Sequence, residues 1–401
     1  MWKYGFVAGG LALMLAAPAA AQPSVKVGVV TDMSGSLSAQ SGEGSVLGAQ
    51  MAREDCLANE CKGMNIEIIS ADHQNKPDIA VSIVRKWVDV EHVDAVTDII
   101  QGAVQIAVQH VMAEKHRMAL FPGGVARLHQ EDCAPATSVQ WMWDSYGQAV
   151  GITRPMVKPG AKWFFISPDY AFGISVRTDA AKLIEQLGGK VIGEVRHPFN
   201  FSGDFSSFLL QAQASGADVI ATASTGSDLI NVVKQAREFN IPAKNQQLVT
   251  FTMTPPDVAA LGLPVAQGVT VSEAFYWNLD AETRAWSQRF AARYGKGMPS
   301  TIQAGVYSVT LHYLRAVAAA GTTETDAVMR KLHELPVHDA TIRNGSLGVD
   351  GRMEHDSYLF RVKSPAESHE PYDFYQLLAT TKAVDAFGPL SDSVCPLLKK
   401  G

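Results

Sequence analysis

The chain has 401 residues, of which 18% are charged and 47% hydrophobic, and its net charge is −6. That length exceeds one ordinary domain and suits two, and the composition argues against wholesale disorder. An acidic balance without a basic cluster argues against a nucleic-acid partner.

Lys3 precedes an apolar run from Gly5 to Ala17, and Pro18-Ala19-Ala20-Ala21-Gln22 closes it. One early cation, a short apolar stretch and a small-x-small end describe a signal peptide, residues 1–21, cut after Ala21. The run is too short to span a bilayer comfortably, and no cysteine follows it to carry a lipid. An exported protein is expected.

Val25–Thr31 reads as a strand and Gly42–Leu57 as a helix. Asn65–Ser70 is a second strand, and Pro77–Asp89 a helix opened by proline. Strand Asp94–Ile99, helix Gly102–Lys115 and strand Met118–Phe121 follow, the last ending at Pro122-Gly123-Gly124. The alternation is the cadence of a doubly wound sheet. Arg127–Trp143 is less regular and reads as a crossover, followed by a helix over Ser145–Val157.

A second series begins with the apolar run Trp163-Phe164-Phe165-Ile166, a strand buried on both faces. After the turn Ser167-Pro168-Asp169, the apolar positions Phe172, Val176, Ala180, Ile184 and Leu187 keep helical spacing until Gly188-Gly189. Further strands are Val191–Arg196, Asp218–Ala223, Gln247–Thr250 and Val269–Ser272, with helices Phe205–Ala214 and Gly226–Phe239 between them. Helices Ala281–Tyr294, Thr301–Ala320 and Thr325–Leu335 come next, then strands Ser357–Val362 and Asp373–Leu378. The tail from Lys382 to Gly401 looks irregular.

An even cysteine count in an exported chain points to disulfides. Cys56, Cys61, Cys133 and Cys395 allow three pairings. The favoured one is Cys56–Cys61, a local loop, with Cys133–Cys395 as a long-range staple of the tail. A metal site is disfavoured because neither C-x-x-C spacing nor a histidine cluster occurs.

Catalytic patterns are near misses. Gly173-Ile174-Ser175-Val176-Arg177 lacks the last glycine of a nucleophile elbow and falls within a helix. Cys133 with His129 could form a thiol–imidazole pair, but a disulfide explains Cys133 better. No G-x-G-x-x-G or Walker pattern supports nucleotide binding, and no cofactor is expected.

The strand-to-helix turns remain. Gln101 and Gly102 open a helix whose free N–H groups suit a carboxylate. Gly123 and Gly124 allow a close backbone approach. Thr222, Ser224, Thr225 and Thr252 offer hydroxyls beyond strand ends. Tyr146, Tyr170, Phe172, Phe275, Tyr276 and Tyr307 supply aromatic faces. Apolar walls with a few aimed polar groups make a small-molecule pocket.

These parts resemble the type I periplasmic solute-binding proteins of ABC importers, in the leucine/isoleucine/valine-binding group. The resemblance rests on V-K-V-G-V-V-T-D-M-S-G at Val25–Gly35, G-A-Q-M-A-R-E-D at Gly48–Asp55, D-Y-A-F-G at Asp169–Gly173 and Q-A-G-V-Y-S at Gln303–Ser308. It implies an α/β fold of two Rossmann-like lobes joined by three crossovers and closing on a ligand. The N-terminal lobe would be residues 24–143 plus 278–354, the other 144–277 plus 355–390, with residues 391–401 a tail reaching toward Cys133.

In the amino-acid binders of that family, a small-residue loop holds the carboxylate and an acid in the second lobe holds the ammonium. Gln101–Gly102 and Gly123–Gly124 occupy the first place. At the second this chain has T-F-T-M-T, Thr250–Thr254, with no acid. Phe172 stands where an aromatic covers the ligand. The resemblance therefore implies a monomeric, non-enzymatic binder of a small organic carboxylate, aromatic or similar, serving a membrane permease. Branched-chain amino-acid binding is the first alternative. An exported amide or ester hydrolase, with an activated Ser or Cys, is the alternative of another class.

Overall fold

The computed structural model describes residues 1–2, 23–201, 203–241 and 246–398. All but the first two residues of the expected signal peptide lie outside these, as do the last three of the tail.

The first half alternates β1 (Ser24–Thr31), α1 (Gly42–Ala58), β2 (Asn65–Asp72), α2 (Pro77–Asp89), β3 (Ala95–Thr97), α3 (Gly102–Glu114), β4 (Met118–Phe121), α4 (Arg127–Gln130) and β5 (Ser138–Gln140). The strands form a parallel sheet in the order β2-β1-β3-β4-β5. Val25, Val27, Val29 and Val30 of β1 are buried, the run expected of a strand covered on both faces. Gly28 of β1 exists for a neighbour: a Cβ there would lie 2.3 Å from the Trp87 ring of α2.

The second series is α5 (Ser145–Met156), β6 (Lys162–Pro168), α6 (Ala171–Gln186), β7 (Lys190–His197), α7 (Ser206–Ala214), β8 (Val219–Thr222), α8 (Gly226–Glu238), β9 (Gln247–Thr250), α9 (Pro255–Leu261), α10 (Leu263–Ala266) and β10 (Thr270–Glu273). Next come α11 (Ala281–Tyr294), α12 (Thr301–Ala320), α13 (Thr325–Glu334), the small pair β11 (Ser346–Leu347) and β12 (Met353–Glu354), then β13 (Ser357–Val362), β14 (Tyr375–Thr381) and α14 (Ala383–Ala386). The second sheet runs β14-β13-β10-β9-β8-β6-β7, parallel except at β10–β13–β14, which are antiparallel.

α11 and α12 return to the first half and pack on α1. Both start on capping boxes, Asp280 with Thr283 and Ser300 with Gln303, and both end on glycines in the left-handed region, Gly295 and Gly321.

Some expectations need correction. The irregular passage Arg127–Trp143 contains α4 and β5, and β5 completes the first sheet. The strand expected at Asp373–Leu378 starts and ends later, at Tyr375–Thr381; the Asp373 N–H donates to the Glu370 carbonyl in the turn before it, and its carboxylate accepts from Lys363 Nζ at 2.6 Å and the His369 N–H. The tail contains α14. Both favoured disulfides are present, Cys56–Cys61 and Cys133–Cys395. Cys133 therefore offers no thiol nucleophile.

Candidate functional site

In each sheet the strand order reverses once, between β1 and β3 and between β6 and β8. Open α/β sheets bind ligands beyond the strand ends at such switch points. The turns there are Asp32–Ser41 and Asp98–Gly102 in the first lobe, and Asp169–Ala171 and Ala223–Thr225 in the second.

The first-lobe rim is tied down by its own side chains. Asp32, fully buried, accepts from the Gly35 and Leu37 N–H groups at 2.7 and 2.9 Å and from Asn75 Nδ2 at 2.6 Å. Gln101 caps α3, its Oε1 accepting from Val104 N at 2.8 Å. One of the N–H groups expected to be free at that helix start is thus already used. Gly123 is small because the Trp143 indole lies against it, 2.5 Å from a would-be Cβ. Gly124 packs in the same way on the Gln105 amide.

The second-lobe rim carries rings and hydroxyls. Tyr170 stacks on Phe199 at 4.5 Å between centroids, and Phe172 meets Trp143 edge-on at 5.5 Å. Tyr170 and Thr225 share a hydrogen bond of 3.1 Å, and burial raises the phenol's pKa. Thr222 Oγ1 donates to Ser224 Oγ at 2.8 Å, and Thr252 Oγ1 donates to the Ser224 carbonyl at 3.2 Å. Ser224 Oγ lies 2.9 Å from His197 Nε2, while His197 Nδ1 donates to the Pro198 carbonyl. That tautomer leaves Nε2 as the acceptor of the Ser224 proton. Burial lowers the His197 pKa, which keeps the ring neutral. A Ser–His pair is the start of nucleophile activation; here both residues are buried, and the ring's Nδ1 bonds the Pro198 carbonyl with the Asp228 carboxylate 3.8 Å away.

The rims touch. A Cβ on Gly226, at φ +56°, would lie 2.5 Å from the Ser36 carbonyl oxygen, and one on Gly102 would lie 3.3 Å from Ala171 Cβ. Gln101, Gly102, Gly123, Gly124, Tyr170, Phe172, Ser224, Thr225 and Thr252 thus stand on or directly behind the facing turns. Four expected residues stand elsewhere. Tyr276 donates to the Tyr372 carbonyl at 2.9 Å and packs on Phe360 and Tyr375 of the second sheet. Tyr307 donates to Asp55 Oδ2 at 2.8 Å and packs on Trp286, which places it in the α1–α11–α12 packing. Phe275 also packs edge-on against Trp286. Tyr146 lies under the tail, against Gly388. For these, the aromatic signal is one of core packing. Trp143, Phe199, His197 and Ser36 were not singled out in sequence. Trp143 ended the segment read as a crossover, and His197 lay one residue beyond the strand read as Val191–Arg196.

Two acids lie behind the Thr250–Thr254 loop. Burial pushes Glu273 up to about 8, with the neighbouring Asp257 carboxylate adding to it, and burial pushes Asp257 up to about 6. Asp257 accepts from Thr254 N and Oγ1. Among the described residues neither acid has a cationic partner.

At the N-terminus of α5, His129 lies with its Nε2 2.7 Å from Asp144 Oδ2 and its Nδ1 3.5 Å from Asp350 Oδ2. Arg352 Nη1 is 3.9 Å from the same Asp144 oxygen. Both ring nitrogens face carboxylates, but only Nε2 makes a hydrogen bond; Nδ1 sits at ion-pair distance from Asp350 without one. Burial works against a charge on the ring, but the Asp144 and Asp350 carboxylates outweigh it and raise the His129 pKa. His129, Arg352, Asp144 and Asp350 are all buried.

Residues 24–368 match the family described as periplasmic binding protein. A periplasmic binding protein from Burkholderia mallei is 40% identical, with 94% of this chain and 99% of that one aligned and a TM-score of 0.86. A branched-chain amino acid ABC transporter periplasmic ligand-binding protein from Burkholderia xenovorans LB400 is 36% identical over 93% and 99% of the two chains, with a TM-score of 0.84. A solute-binding protein of an ABC transporter from R. palustris, solved with benzoate, shares the fold at 18% identity, over 90% and 97% of the chains, with a TM-score of 0.77. No curated protein matches in sequence.

Proposed function

The chain belongs to the periplasmic binding proteins, and from that premise we propose that it is the substrate-binding component of an ABC importer, holding a small aromatic or similar carboxylate between its lobes. The observation that carries the ligand class is the contrast at the second-lobe rim. Tyr170, Phe199 and Phe172 form a run of ring contacts there that continues onto Trp143 of the first lobe, while the Thr250–Thr254 loop has no acid. Of the two acids behind it, Glu273 is pushed up to about 8, which favours its neutral form at about pH 7, while Asp257 is pushed up only to about 6 and is taken up by Thr254 N and Oγ1. An ammonium group would find no carboxylate in the loop itself. An aromatic ring gains from stacking and from burial of apolar area.

The lobes are residues 24–143 plus 278–354 and 144–277 plus 355–390. The ligand sites are the turns at Gln101–Gly102, Gly123–Gly124, Tyr170–Phe172, Ser224–Thr225 and Thr252. Ligand favours the closed state only to the extent that it touches both lobes. The closed form of a monomer, exported by way of its leader to the periplasm, is then presented to a membrane permease, with no chemical change to the cargo.

Calorimetry against a panel of aromatic acids and a panel of amino acids tests this. Micromolar or tighter binding of an aromatic acid is expected, and a blank across both panels defeats the reading. Binding confined to leucine, isoleucine or valine would instead establish the second reading, which the name of the Burkholderia xenovorans relative favours.

A further inference from the structure

Helix α3 carries Gln101, Gln105 and Gln109 four residues apart, a spacing that lines them along one face. Gln105 and Gln109 are both fully buried. An amide in such a place costs free energy unless it is hydrogen-bonded, and an apolar side chain would fill the space without that cost.

What each amide does differs. Gln109 Nε2 donates to the carbonyls of Leu128 and Asp132, and its Oε1 accepts from Ser138 Oγ at 2.7 Å. It anchors the α4 segment and β5. Gln105 Nε2 spends one proton on the Ile99 carbonyl at 2.7 Å and the other on the Gly123 carbonyl at 2.5 Å. Ile99 belongs to the turn after β3, Gly123 to the turn after β4. One side chain therefore bridges the two first-lobe turns on which the proposed ligand site stands. Gly124 lies flat on the same amide, whose Nε2 and Oε1 would each be 2.3 Å from a Cβ. The amide thus sets how close the Gly123–Gly124 backbone comes to α3.

We propose that Gln105 is a positioning residue for ligand recognition: it holds the turns after β3 and β4 at the separation the ligand requires, without touching the ligand. This rests on the reading of those turns as the ligand's first-lobe contacts. Gln109 is the internal control, equally buried on the same helix but serving segments behind the rim.

The test uses the full mature chain with two probes, benzoate and leucine, measured by calorimetry well below the melting temperature. Q105M is expected to raise the Kd of whichever probe binds wild type by about tenfold, the scale of one or two lost hydrogen bonds. Q109M is expected to lower the melting temperature comparably and leave that Kd within about twofold. Q105E keeps the shape but, ionised, cannot donate to either carbonyl. Its affinity should recover as pH is lowered and the buried acid regains a proton to donate. Wild-type affinity in Q105M overturns the proposal. So does a loss in Q109M equal to that in Q105M, which would make the effect one of stability alone. Failure of wild type on both probes overturns the functional reading, and the proposal with it.

Discussion

The two rims of the cleft are built on opposite plans. The first-lobe rim turns its polar groups inward: Asp32 binds its own loop, Gln101 its own helix, and Gln105 two neighbouring turns. The second-lobe rim strings together hydroxyls and stacks rings, through Thr222, Ser224 and His197 on one side and Tyr170, Phe199 and Phe172 on the other. A turn whose backbone is fixed before ligand arrives loses little freedom on binding. Under the proposed reading, the fixed turns of one lobe set the shape of the site and the aromatic faces of the other choose between ligands.

That division can be attacked from its covalent frame inward. The pair C133S/C395S removes a crosslink spanning 262 residues and is expected to cost about 5 kcal/mol of stability, while C56S/C61S, spanning 5, should cost about 2 kcal/mol. Denaturant unfolding under oxidising conditions measures both, and equal losses would discard the loop-length account.

The buried charge cluster at His129 comes next. Replacing His129 by Asn leaves Asp144 and Asp350 short of a cation, with an expected loss of about 3 kcal/mol near pH 6. The His129 pKa is raised on folding. Its contribution is therefore complete below the ordinary histidine value and fades as pH climbs through the folded one. Wild type and H129N should converge in urea melts taken toward alkaline pH. A constant gap from pH 6 to 9 would assign His129 a packing role only.

Two smaller changes separate the selecting rim from the core. Phe172→Ala is expected to weaken ligand binding by about 1–3 kcal/mol, and unchanged calorimetric affinity would remove Phe172 from the site. Tyr307→Phe should cost about 1 kcal/mol of stability, through the hydrogen bond to Asp55, and leave affinity untouched. A large affinity loss in Tyr307→Phe would return that residue to the cleft.

Much of the fold is legible in sequence because long apolar periods fix element type. The valines of β1 and the run Trp163–Ile166 each announce a strand. β5 has only three residues, between a cysteine–proline segment and Trp141, and no periodicity survives at that length. α9, given no element in sequence, begins at the adjacent prolines Pro255 and Pro256 and is held by the Thr254–Asp257 capping box. At the site, turns beyond strand ends point to the right region for a topological reason. Aromatic residues do not sort themselves. Tyr170 and Tyr307 look alike in sequence, and only packing separates a cleft wall from a helix contact. The glutamine spacing on α3 is plain in the chain, but the carbonyls it serves belong to turns distant in sequence.

The antiparallel flank of the second sheet has a consequence for biogenesis. β13 and β14 lie beyond residue 356, after the chain has returned to the first half for three helices. Synthesis proceeds from the amino end. The first sheet therefore has all its strands once Gln140 has emerged, whereas the other waits with an open flank beside β10 until Thr381 is released. The Cys133–Cys395 bond can close only after that. A nascent chain halted anywhere between would expose a sticky margin, so any factor that shields it must act on the later-completed half.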